Sequence, residues 1–64
     1  MKEITRELFA EWSFLRDQTV GLYKKSMTWN DVVQEEKQSY LEEADYYLSK
    51  EKDNWPLDIL ERMG

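Results

Sequence analysis

The sequence predicts an all-α protein, a small three-helix domain of two long helices and a short C-terminal one, formed by residues 1–64 as a single unit. Three observations predict it. Apolar side chains recur at spacings of three and four over residues 3–25 and again over 29–50, the period of an amphipathic helix. Only two Gly and one Pro punctuate the chain, too few for a turn-rich β fold. Asp53-Asn54-Trp55-Pro56 then reads as a turn into a third helix, because Pro suits a first helical turn, where no amide partner is needed.

In the first helix the stripe is Ile4, Leu8, Trp12, Leu15, Thr19 and Leu22, widened by Phe9 and Tyr23. Gly21 either ends the helix as a left-handed residue or sits inside it at a cost of about 1 kcal/mol. Lys24 and Lys25 suit a C-terminus, where the helix dipole is negative, so the end is expected between Thr19 and Lys25. The second helix opens at Thr28-Trp29-Asn30-Asp31, a variant of the capping box, with Met27 and Val32 placed as a hydrophobic staple. Its apolar face is Trp29, Val33, Tyr40, Ala44, Tyr47 and Leu48, with Leu41 at the edge. Lys37 interrupts that face. Either its aliphatic stem lies along apolar surface with the ammonium in water, or the helix breaks near Val33-Gln34. The expected end is about Lys50. The short third helix carries Leu57, Ile59, Leu60 and Met63 and must dock on the others, since so short a helix does not hold alone. Trp55 is its expected anchor, while Tyr40 and Tyr47 are expected in the core and Tyr46 on the surface.

Hydrophobic residues make up 41% of the 64 residues, with three Trp, four Tyr and two Phe, a composition that folds rather than one that stays disordered. There is no Cys and no His, which removes thiolate and imidazole metal ligands, thiol nucleophiles and His acid–base chemistry. The adjacent pairs Glu35-Glu36 and Glu42-Glu43 point about 100° apart on a helix and share no site. The chain is therefore read as non-enzymatic, with no catalytic residue, no metal site and no cofactor. No apolar run approaches the ~20 residues of a membrane span, and the N-terminus lacks the order of a signal peptide. A cytoplasmic protein without membrane contact is expected.

Charge is uneven. Residues 1–27 hold five basic and four acidic side chains, whereas 28–64 hold four basic and ten acidic, giving a net −5 overall. Such a balance repels phosphate, so no direct nucleic-acid binding is expected, and it favours either solubility alone or a basic protein partner. Asp31, Glu35, Glu42 and Asp45 fall within an arc of about 80° opposite the apolar face. Successive rises of about 6, 10 and 4.5 Å match the scale of a phosphate backbone. The row is either a solvated helix face or a binding surface, in the extreme a nucleic-acid mimic. Phe14 projects away from the Ile4–Leu22 stripe, beside Ala10, Asp17 and Gly21. It is either a contact for a partner or a second copy, or, as packing favours, a residue covered by the C-terminal helix.

The spacing Trp29-x2-Val32-x3-Glu36-Lys37-x2-Tyr40-x3-Ala44 resembles the segment of HMG-box proteins that joins the second helix to the third. That resemblance implies a helical arrangement in which Trp packs on the Lys stem and the aromatic while Ala lets helices approach. This chain has Val33 where that family has a capping Ser or Thr, and its second half is acidic, so the family's DNA binding is not carried over. The same cadence is similar to that of short uncharacterised phage and prophage proteins, which implies a phage-encoded protein that binds a host protein. The expected function is thus a non-enzymatic protein-binding module using Phe14, Asp31, Glu35, Glu42 and Asp45. The alternatives are an acidic nucleic-acid mimic in the groove of a DNA- or RNA-binding protein, and a structural homodimer or larger homo-oligomer.

Overall fold

A computed structural model describes residues 4–63. It contains α1 (Arg6–Thr19), α2 (Gln34–Leu48) and α3 (Leu57–Met63), with single 3-10 turns at Trp29–Asp31 and Lys52–Asn54. The described residues form no strand, as expected of an all-α, three-helix fold.

Residue 3, the expected start of the first helix, lies outside the described residues; α1 itself begins at Arg6, with Thr5 as its cap. The Thr5 hydroxyl oxygen accepts the Leu8 amide at 3.1 Å, satisfying one of the donors a helix N-terminus leaves free. The other end is closed by Gly21 at φ +97°. There the Leu22 amide bonds the Asp17 carbonyl and the Gly21 amide the Gln18 carbonyl, at 3.0 and 3.1 Å, the two bonds of a Schellman motif. An L side chain is strained at that φ, so Gly21 ends the helix instead of lying within it.

The buried face of α1 is only in part the expected one: Phe9 is buried as expected, and Ile4, Trp12 and Leu15 pack against the core, but the centre of the face lies elsewhere. Phe9, Ala10, Ser13 and Phe14 are the buried residues, and Leu8, Trp12 and Leu15 are only half-buried. At 100° per residue the two sets are centred on opposite sides of the helix, meeting at Phe9 and Trp12, which are about 60° apart. Closeness explains the inversion. Ala10 and Ser13 are small and, with fully buried Ala44 of α2, suit the short separation that two packed helices require. Ser13 looks polar in sequence, yet its hydroxyl donates to the Phe9 carbonyl at 3.1 Å, so it is buried with its hydrogen bond made. Leu22, assigned to the stripe, lies beyond the Gly21 turn and is 68% exposed.

The second helical stretch breaks, as one of the two readings of Lys37 proposed. One 3-10 turn ends at Asp31, Val32 and Val33 are extended, and α2 starts at Gln34. β-branched residues prefer extended backbone, and the two valines divide the labour: Val32 is buried and Val33 is 61% exposed. Placing Val33 on the apolar face was therefore wrong by one residue, because the break resets the helical phase. Lys37 nevertheless lies along apolar surface, its Nζ 5.6 Å from the centre of the Trp29 ring. Trp29 also meets Tyr40 edge-on at 5.9 Å. The Trp–Lys–aromatic packing implied by the Trp29–Ala44 spacing is thus present.

α3 closes the fold from the other end of the core. Its amides at Ile59 and Leu60 bond the Pro56 carbonyl at 3.1 and 3.2 Å. Trp55 is the anchor expected: it is buried, its Nε1 donates to the Tyr47 carbonyl at 2.6 Å, and its ring meets Phe9 edge-on at 5.4 Å. Tyr47 stacks on Phe9 from α2 at 5.7 Å. Ile59 is fully buried, whereas Leu57 faces solvent. Each fully buried side chain of the size of Phe or Ile is worth about 1.5–3 kcal/mol, so Phe9, Phe14 and Ile59 carry much of the stability of so small a core.

Candidate interaction surface

Three of the five residues read from sequence as a partner surface have other roles. Phe14 is fully buried. It is covered by the rings of Tyr23 at 5.1 Å, Trp29 at 6.0 Å and Tyr40 at 6.3 Å. It therefore offers no surface contact, and its aromatic cover comes from α2 and the segment before it. Sequence spacing on α1 shows Phe14 beside small residues but cannot show that a later aromatic cluster folds over them.

Asp31 is occupied with local structure. Its Oδ2 accepts the Thr28 amide at 2.9 Å and the Thr28 hydroxyl at 3.1 Å. These two bonds, the backbone one foremost, hold its carboxyl below the usual carboxylate range. Asp31 also lies on the 3-10 turn, ahead of the break, so it does not continue the α2 face. Asp45 is held by Arg6 in a two-pronged pair, Nε to Oδ1 at 2.9 Å and Nη2 to Oδ2 at 2.7 Å. That hydrogen bond, with the charge of Asp45, raises the pKa of the Arg6 guanidinium. Asp45 stays half-exposed, with its charge neutralised from within the chain. The four-member acidic row expected of a continuous helix is thus dismantled.

Glu35 and Glu42 remain. Both are exposed on α2, two turns and about 10.5 Å apart, and neither forms an ion pair among the described residues. Four residues beyond Glu42 stands Tyr46, 59% exposed. Helical geometry puts Glu35, Glu42 and Tyr46 within an arc of about 40°. Gln38 and Ser39, between them, are exposed as well. Tyr46 rests edge-on against Tyr47 at 5.2 Å, and the Lys50 ammonium lies 5.1 Å from its ring centre. This outer face is acidic, carries one presented aromatic, and sits on a helix whose inner face is anchored by Tyr40 and Ala44. The i, i+7, i+11 spacing of Glu35, Glu42 and Tyr46 was visible in the sequence. It was hidden only by reading Asp31 and Asp45 into the same row.

On the inner side of α2 runs a part-buried polar chain that ends at exposed Glu36. Tyr40 donates to Asp17 Oδ2 at 2.5 Å and Tyr23 donates to Glu36 Oε2 at 3.0 Å, with the two phenol oxygens 3.4 Å apart. Burial, followed by the hydrogen bond to Asp17, raises the pKa of Tyr40 far above the ordinary phenol value. A phenol so held stays protonated and neutral, which makes it a structural donor. Arg16 bridges Asp17 and Glu43 at 3.4 Å each. Burial works against its charge, but Glu43, Asp17 and Asp58 outweigh burial and raise its pKa. These groups tie α1, the segment after it and α2 to one another and leave Glu35, Glu42 and Tyr46 of α2 uninvolved.

No described helix is long and apolar enough to cross a membrane. Among known proteins, no family model matches the chain, and no curated protein or solved structure matches it. The fold defines a small three-helix domain that exposes Glu35, Glu42 and Tyr46 together on one face of α2.

Proposed function

We propose that this protein is a non-enzymatic protein-binding module that docks the outer face of α2 on a basic protein partner in the cytoplasm. The observation that carries the reading is the joint presentation of Glu35, Glu42 and Tyr46 on one face. The neighbouring acidic residues are spent inside the fold and these are not. Aromatic residues concentrate binding energy at interfaces and flanking charges set encounter and orientation. A partner cation can take the place of Lys50 over the Tyr46 ring, while two further cations meet Glu35 and Glu42 about 10.5 Å apart. The likeness in cadence to short phage proteins makes a host protein the first class of partner to try.

The test is affinity capture from bacterial lysate with the tagged protein, the double variant Glu35→Lys/Glu42→Lys, and Tyr46→Ser. One stoichiometric protein, retained by the parent and lost from both variants while their helical circular dichroism is unchanged, is the expected result. Equal retention by all three would overturn the assignment of this face. The nucleic-acid mimic is the weaker reading because Asp31 and Asp45 are no longer free members of its row. It predicts an affinity that falls steeply between low and moderate salt and survives Tyr46→Ser, whereas docking centred on Tyr46 predicts a smaller fall with salt and loss of binding in Tyr46→Ser.

A further inference from the structure

Residues 20–28 join α1 to the 3-10 turn without forming regular structure of their own, and they lie over Phe14. Their two ends are firmly built. One is the Schellman turn at Gly21 and the other is the Thr28–Asp31 hydrogen-bonded turn. Between them the chain is held at few points. Lys24 to Met27 make a turn closed by the Met27 amide on the Lys24 carbonyl at 3.1 Å. The side-chain amide of Gln18 then donates both its protons to that turn, one to the Lys24 carbonyl at 2.7 Å and one to the Met27 carbonyl at 2.8 Å. On the inner side Tyr23 and Met27 pack against the core, and Tyr23 reaches Glu36. On the outer side Val20 and Leu22 are about 70% exposed and contribute little.

We propose that residues 20–28 form a strap that opens as a unit while α1 and α2 stay folded, with Gln18 as its latch. Segments with few buried apolar contacts and few backbone hydrogen bonds open below the energy of global unfolding, and this segment has that character between two rigid ends. The latch is a single side chain that holds both carbonyls of one turn, so its loss frees the whole turn at once. Opening removes Tyr23 from Phe14 and bares the edge of the aromatic cluster of Phe14, Trp29 and Tyr40. This device is separate from the outer face of α2 and does not depend on partner binding there.

Native-state hydrogen exchange on the full chain tests it, read residue by residue in the parent, Gln18→Ala and Gln18→Glu. In the parent the Met27 amide should exchange faster than the helical amides of Phe14 and Ala44, through an opening insensitive to low urea, while the Leu22 amide of the Schellman turn stays protected. Gln18→Ala removes both latch bonds and should speed the Met27 amide about tenfold or more, leaving Phe14 and Ala44 unchanged. Gln18→Glu, which sets a carboxylate against two carbonyls, should speed it further. Strap and helix amides that exchange at one common, urea-dependent rate would overturn the proposal. So would a Gln18→Ala effect spread equally over all amides.

Discussion

α1 and α2 are almost the same length, 14 and 15 residues, but they serve the fold differently. α1 buries four residues, Phe9, Ala10, Ser13 and Phe14, and its opposite side is half-covered at Leu8, Trp12 and Leu15. α2 buries only Tyr40 and Ala44 and leaves Glu35, Gln38, Ser39, Glu42 and Tyr46 in solvent. The first is the hub on which the strap, α2 and the C-terminal segment all pack; the second is a two-sided element with one free face. The contrast locates stability in α1, and the proposed recognition rests on the free face of α2. A three-helix domain near the lower size limit has no spare core, so a side chain on its hub cannot also be a contact site.

The sharpest way to break this contrast is to damage the hub. Phe14→Ala should cost about 3–5 kcal/mol, the range for an emptied aromatic site, against a total of roughly 3–10 kcal/mol for 64 residues. Thermal melting followed by circular dichroism should therefore show a midpoint lowered by about 10–40 °C. A variant that melts within a few degrees of the parent would show that Phe14 is not where the core is.

Tyr40→Phe tests the link between the two helices and is expected to be smaller. It deletes a phenol donor to a carboxylate, so a loss of about 1.5–3 kcal/mol at neutral pH is expected from chemical denaturation. The same residue sets a pH dependence. Because the folded-state pKa of Tyr40 is raised, its contribution is complete below the unfolded phenol value near 10. It is then lost as pH rises beyond that value, at about 1.4 kcal/mol per pH unit. Parent stability should therefore fall between pH 10 and 11 by more than that of Tyr40→Phe, and parallel curves would contradict the assignment.

On the free face the expected change in stability is smallest. Glu35→Lys and Glu42→Lys should each stay within about 0.5 kcal/mol of the parent, as exposed substitutions do. A loss above 2 kcal/mol from either would mean that the outer face of α2 is not free, and the functional contrast would fail with it.

Much of this architecture was legible in the residues. The number, order and class of the helices followed from apolar periodicity and from the scarcity of Gly and Pro. Gly21 marked one boundary, Pro56 another, and Trp55 was readable as an anchor because a seven-residue helix needs one. Periodicity did not identify which side of α1 would be buried. It weighs Leu8, Trp12 and Leu15 above Ala10 and Ser13, whereas packing against α2 rewards small side chains that allow approach.

The candidate surface was half legible for a related reason. Exposure of Glu35 and Glu42 followed from the helical phase of α2, since solvent receives whatever the apolar face leaves. Whether an acidic residue remains available depends on partners distant in sequence, and Arg6 lies 39 residues from Asp45. By itself, then, the sequence determined local matters: helix periods, caps, turns and the absence of His and Cys chemistry. Only the tertiary structure decided which face is core, which charges are neutralised and which aromatic is covered. Those outcomes are set by contacts between segments, and no spacing within one segment contains them.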